Sequence, residues 1–304
     1  MQFLQHFLHD AEVPLYFFPE SEYNMPEDVI HMKKWMYNAL IIFFAGIFVV
    51  SGVFLARYYM ESAKQKSKYD KLSEMLSNAP TTARPDVIEG TPNTEPTQPA
   101  MVEVTNPDTG ETISILPEFA ELYQMNNHLV GWISIPGTDI DYPVMQTPNS
   151  KDYYLKRDFD REYSSRGCIY VQETCDVFAP SDNLTIYGHR MRDRSMFAQL
   201  DRYLEKSFYE ENPYIYFDTI QELHTYQIIS VFITTSSVGE GFRYHTFINA
   251  TSPENYDQFV KGCKNMSIYD TGVTAEYGDK LITLSTCEYT HVNGRLVVVA
   301  KLIA

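Results

Sequence analysis

The chain has 304 residues and a formal net charge of −16, with 40 Asp and Glu against 24 Lys and Arg. That balance argues against a nucleic-acid partner, because phosphate binding needs an excess of Lys and Arg on at least one face. Hydrophobic residues at 44% suffice for a core, while four cysteines make no disulfide scaffold and no repeated C-x-x-C pair suggests zinc.

Residues 1–34 carry scattered aromatics and acids, among them Phe17, Phe18, Glu20, Glu22, Glu27 and Asp28, and read as a poorly ordered tail. Residues 35–57 are expected to form a transmembrane anchor. Trp35 to Ala56 contains no charged side chain, and as a helix it would span roughly 33 Å, enough to cross a bilayer core. Trp35, Tyr37, Tyr58 and Tyr59 stand at its ends, where amphipathic rings favour the membrane interface. The run is too long for the core of a cleaved signal peptide and no small-x-small site follows it, so it reads as a single-pass anchor. Charge points the other way on orientation. Lys33 and Lys34 precede the run, but Arg57, Lys64, Lys66, Lys68 and Lys71 follow it, which by the positive-inside rule leaves the C-terminal part in the cytoplasm.

Residues 58–112 are expected to be a stalk or linker. Glu61–Leu76 is charged and prolongs the helix for a few turns, and Ser77–Thr112, with TPNTEPTQP, has the composition of an extended spacer. A globular domain is expected over residues 113–304. LPEFAELYQMNNHLVGW places Pro117 in a first-turn position near Phe119, Leu122, Tyr123 and Met125, and predicts an amphipathic helix. From Trp132 onward short β-rich runs dominate: WISI, YPVMQ, CIYVQ, NLTIYGH, YIYFD, YQIISVFITT, LITLSTC and RLVVVAKLI. Helical patterns interrupt at Ser195–Phe208 and Pro253–Asn265. Many short strands with few helices predict a closed or nearly closed β-barrel, not alternating βαβ units.

In LITLSTC, strand alternation puts Leu281, Thr283, Ser285 and Cys287 on one face. If this run and RLVVVAKLI form an antiparallel hairpin, Cys287 and Arg295 pair across it with Cβ atoms roughly 4.5–5.5 Å apart. That pairing suits acyl transfer: a thiolate attacks a carbonyl, and a fixed cation stabilises the charge that grows on its oxygen. A packing thiol beside a strand-end surface charge would look the same. In NLTIYGHRM, His189 follows the end of a strand, where an imidazole can pass a proton to a leaving amine. His291 in the loop after Cys287 is the other histidine within reach, whereas His128, His224 and His245 lack a comparable polar setting.

TLSTC with its downstream Arg295 resembles the sortase signature. GWISIPGTDIDYPVMQ, KDYYLKRDF, NLTIYGHRM, SMFAQL and SIYDTGV resemble blocks of class B sortases, in the family's order, over about residues 116–304. The resemblance implies a mainly β fold: an eight-stranded sortase-type β-barrel with an N-terminal helix and a helix between its sixth and seventh strands, preceded by a single transmembrane helix. It puts the family's catalytic residues on His189, Cys287 and Arg295, and substrate-binding positions on Leu155, Ser285 and Glu288, with Tyr244 a further one in the loop after the sixth strand. It implies a membrane-anchored cysteine transpeptidase with its catalytic domain outside the cell. Such an enzyme cleaves a C-terminal sorting signal of secreted proteins after Thr, in an NPxTN-like or related pentapeptide, holds it as a thioester and passes it to a peptidoglycan precursor or cross-bridge amine. No cofactor and no metal are expected.

The other thiols have ordinary readings, Cys168 and Cys263 as packing residues and Cys175 in a loop, close enough to Cys168 to raise the question of a disulfide. Asp182, Asp193 and Asp279 lack the spacing of a calcium loop. Rival readings are a pilin-polymerising sortase, a papain-like protease, which would need its Cys near the start of the domain, and a catalytically silent surface-binding barrel.

Overall fold

The computed structural model describes residues 34–79, 100–237, 239–288 and 293–304. The expected tail before Lys34, the middle of the expected spacer (residues 80–99) and His291 lie outside the described residues. The chain divides into two compact units, Met1–Glu61 and Ser62–Ala304.

In the first unit the described residues belong to helix α1 (Lys34–Asn78). In this unit the apolar side chains of α1 are exposed on every side, Ile42, Phe48 and Phe54 among them. By length and composition α1 can cross a membrane.

The second unit contains more of the expected stalk than its composition suggests. The last turns of α1 pack on the barrel: Tyr69 and Leu72, three residues apart and so on one helix face, are buried. The Tyr69 ring meets Tyr142 edge-on at 5.2 Å. Polar contacts flank them, Lys68 to Asp158 at 2.6 Å and Ser73 to Asp141 at 2.6 Å. Residues β1 (Val102–Thr105) and β2 (Thr112–Ile115) then pair as an antiparallel ribbon. The end of α1 is held by partners distant in sequence, Asp158, Asp141 and Tyr142, which local charge content does not register.

The expected amphipathic helix is shorter than its pattern. A 3₁₀ turn at Pro117–Phe119 leads into α2 (Ala120–Met125). The chain turns at Asn126, whose buried amide donates to the Tyr154 hydroxyl at 2.9 Å and the Phe159 carbonyl at 2.6 Å.

All eight predicted runs form strands: β3 (Leu129–Ser134), β4 (Asp141–Met145), β5 (Ile169–Val171), β6 (Asn183–Tyr187), β7 (Tyr214–Thr219), β8 (Thr225–Thr235), β9 (Leu281–Glu288) and β10 (Gly294–Leu302). They close into a barrel in the order β10-β8-β7-β3-β4-β5-β6-β9. Most neighbours are antiparallel, but β4 pairs with β5 and β6 with β9 in parallel. A 3₁₀ stretch (Phe197–Leu204) and helix α3 (Lys206–Glu211) occupy the first predicted helical region.

Alternation sorts the side chains into two clusters. Ile282, Leu284, Leu296 and Val298 join the main core with Ile133, Val144, Ile186 and Phe217. On the opposite face, Leu281, Val297 and Val299 are covered by helix α4 (Pro253–Met266) through Tyr256, Phe259 and Cys263. Helix α4 lies between the sixth and seventh barrel strands. Its start is set by Ser252, whose hydroxyl accepts from the Asn255 amide, and by Pro253 in the first turn. All four cysteines are free.

Candidate active site

Strands β9 and β10 pair so that Cys287 faces Arg295 and Glu288 faces Gly294. The hairpin register inferred from the sequence is the one observed. Cys287 is partly exposed while Cys168, Cys175 and Cys263 are buried. Burial pushes the Cys168 thiol up to about 12 and Cys175 to about 11, and Cys263 also well up. Those three thiols stay protonated and out of reach; Cys287 is the accessible one.

The Arg295 guanidinium is held by its own hairpin. Its Nη1 donates to the Gly294 carbonyl at 2.9 Å and to the Asn293 carbonyl at 3.3 Å. A guanidinium tethered through one nitrogen keeps further N–H donors for a substrate oxygen.

His189 reaches this end of the barrel through the parallel pair. Tyr187 on β6 registers with Ser285 on β9, so two residues further along each chain stand His189 and Cys287. The continuation is pinned by two contacts: the Gly188 amide donates to the Ser285 carbonyl at 3.2 Å, and the Thr286 hydroxyl to the Gly188 carbonyl at 2.8 Å. Lower on the same strands, the Thr283 hydroxyl donates to the Asn183 side-chain oxygen at 2.7 Å. Gly188 is required by space, because a Cβ there would lie 2.5 Å from Ile169 Cδ1 and 2.6 Å from the Phe197 ring. The His189 Nε2–H donates to the Leu155 carbonyl at 2.7 Å. That bond leaves Nδ1 as the nitrogen able to take or give a proton.

The remaining residues fall into distinct places. The Tyr244 and Ser285 hydroxyls share a buried hydrogen bond of 2.6 Å, which ties the 3₁₀ turn Tyr244–Thr246 to the Cys287 face of β9. Burial raises the Tyr244 phenol, opposed by the bond to Ser285 and by the Arg295 charge, with the neighbouring Cys287 adding to the rise. The Leu155 side chain is exposed, and its main-chain oxygen makes the contact with His189. Glu288 is buried, and strand alternation turns its side chain to the face opposite Ser285 and Cys287. Of the three aspartates considered for a cation, Asp182 pairs with Lys280, Asp193 with Arg166 and Asp279 with Lys301. Gly188 and the turn after His189 place the imidazole through the contacts of the Gly188 main chain and the Phe197 amide. The signals for them were the Gly before His189 and the dense charge of HRMRDRS.

A sortase-domain model matches residues 133–303. The chain is 33% identical to sortase B of Listeria monocytogenes over 190 residues, covering 61% of this chain and 74% of that one. It is 28% identical to sortase B of Staphylococcus aureus over 276 residues, covering 90% and 99%. The chain belongs to the class B sortases. Solved class B sortases share its fold: sortase B from Bacillus anthracis superposes with a TM-score of 0.62 at 28% identity, covering 81% of this chain and 99% of that one. A Staphylococcus aureus sortase B–substrate complex also gives 0.62 at 28% identity, covering 80% and 98%. As a class B sortase the protein is a cysteine transpeptidase. The family acts on proteins that bear a sorting signal and on a peptidoglycan amine.

Proposed function

We propose that this class B sortase cleaves a C-terminal sorting signal after its Thr, holds the acyl group as a thioester on Cys287, and transfers it to a cell-wall peptidoglycan amine. The meeting of Cys287, Arg295 and His189 at one end of β6 and β9 carries the reading. The Cys287 thiolate adds to the Thr carbonyl carbon, and Arg295 stabilises the oxyanion. The C–N bond then breaks while protonated His189 gives its proton to the leaving amine. An incoming amine adds to the thioester, His189 takes a proton from it, and Cys287 leaves as thiolate. Leu155, Tyr244, Ser285 and Glu288 line or support the peptide groove, Glu288 through its main chain. Helix α1 anchors the enzyme in the cell membrane through residues 35–57, with the catalytic unit outside, where sorting signals and peptidoglycan meet.

The test is mass spectrometry of the full chain in detergent after incubation with a panel of sorting-signal peptides. The expected result is an acyl adduct on Cys287 with cleavage after Thr, absent from Cys287→Ala and from His189→Ala. A folded enzyme that gives no adduct with any peptide of the panel would remove this reading.

A further inference from the structure

The turn that follows His189 is joined to the segment behind Leu155 by one ion pair. Arg166 is buried, 2% exposed, and its Nη1 lies 2.6 Å from Asp193 Oδ2 and 2.8 Å from the Ser195 hydroxyl. Asp193 Oδ1 accepts from the Ser195 hydroxyl at 2.7 Å and from the Ser195 amide at 3.2 Å. The turn is closed by a bridge between Arg190 and Met196. The Phe197 amide then donates back to the His189 carbonyl at 2.9 Å. Movement of Asp193 is therefore passed to the His189 main chain through the turn between them and the Phe197–His189 hydrogen bond.

The other arm starts at Arg166 itself. The next residue, Gly167, has left-handed backbone at φ +60, and a Cβ on it would lie 2.6 Å from the Leu155 carbonyl oxygen. The Cys168 amide donates to the Tyr154 carbonyl at 3.0 Å. This backbone is packed directly behind the carbonyl that accepts from His189. The Arg166–Asp193 pair thus closes a bracket whose two ends are the His189 main chain and the Leu155 oxygen. Helix α1 grips both arms. Ser62 donates to Asp193 Oδ2 at 2.5 Å, Gln65 to the Ser164 hydroxyl at 2.9 Å, and Tyr69 to the Gly167 carbonyl at 3.1 Å.

We propose that Asp193 is a positioning residue for the His189 imidazole, closing with Arg166 and Ser62 a bracket that holds the ring against the Leu155 carbonyl. The inference rests on His189 being the proton-transfer group. Without the bracket the ring samples orientations in which Nδ1 is turned from the reacting atoms, which lowers turnover more than peptide binding.

The experiment compares steady-state kinetics of the full chain with Asp193→Asn, Asp193→Glu and Ser62→Ala, alongside the ¹⁵N signal of the His189 Nε2–H. Asp193→Asn is expected to lower kcat about tenfold with KM within about twofold, the pattern of lost orientation. Asp193→Glu, which keeps the charge, is expected to recover to within about threefold of the parent. The Nε2–H signal should exchange faster in Asp193→Asn. Ser62→Ala removes only the helix-side bond and is expected to shift kcat in the same direction, so the inference stays testable if Asp193→Asn does not fold. Unchanged kcat and an unchanged imidazole signal in folded variants would overturn the positioning role. His189→Ala separates the two ideas: if it remains active, the acid/base assignment fails, and if it is inactive while Asp193→Asn is unaffected, only the bracket fails.

Discussion

Cys287 and Arg295 are register partners across the β9–β10 hairpin, and the guanidinium is tethered by the carbonyls of Gly294 and Asn293 beside it. A cation fixed before the reaction starts needs no reorganisation when the oxyanion forms, which is where preorganised charge is most effective.

Arg295→Lys tests that tether. A lysine ammonium has no planar fork, so it cannot be held by the hairpin carbonyls and still present a second fixed donor. The kcat/KM for a cleaved sorting peptide is expected to fall about 100-fold, with Arg295→Ala no better. A lysine variant within a few-fold of the parent would show that charge alone is enough.

Gly188→Ala tests the approach of β6 to β9. The added methyl would meet Ile169 and the Phe197 ring at 2.5 and 2.6 Å. Overpacking of this kind costs about 1–3 kcal/mol, and the displacement falls on the residue preceding His189. Turnover is expected to drop about 100-fold in a protein that still folds. Full activity together with an unchanged melting temperature would mean the chain relaxes there without moving the imidazole.

Much of the barrel was legible because alternation is a local signal: each of the eight runs carries its own period of two. The Cys287–Arg295 pairing was also legible, since a short hairpin fixes its own register. The approach of His189 was not, because it depends on a parallel pairing of β6 with β9 that joins Gly188 to Thr286 across 98 residues. The docking of α1 was hidden for a similar reason. Lys68 reads as a solvent-facing charge until Asp158 and Asp160 are brought to it, and Gln65 as ordinary helix surface until Ser164 is. The face of Glu288 followed from the same alternation that placed Cys287.

The Tyr244–Ser285 bond predicts a coupled pair. Both residues are buried, so Tyr244→Phe leaves the Ser285 hydroxyl without its partner and Ser285→Ala does the same to the phenol. Each single change is expected to cost about 1–3 kcal/mol in denaturant unfolding. The double variant should cost clearly less than the sum, because neither orphan remains. Strict additivity would show that the two hydroxyls do not depend on each other.

Acid stability should report on Asp193. Burial alone would push its carboxyl up, but the Ser62 and Ser195 hydroxyls, the Ser195 amide and the Arg166 guanidinium hold it down at about 2. The folded value lies below the ordinary one of 3.8, so the unfolded chain takes up the proton first as pH falls. The stabilisation is therefore complete above about pH 4 and is lost on the way down to about pH 2. Asp193→Asn has no charge to lose there. Melting temperatures between pH 5 and 2.5 are expected to fall more steeply in the parent than in this variant, the two curves drawing together at the acid end. Parallel curves over that range would mean the carboxylate gains nothing from its partners in the folded protein.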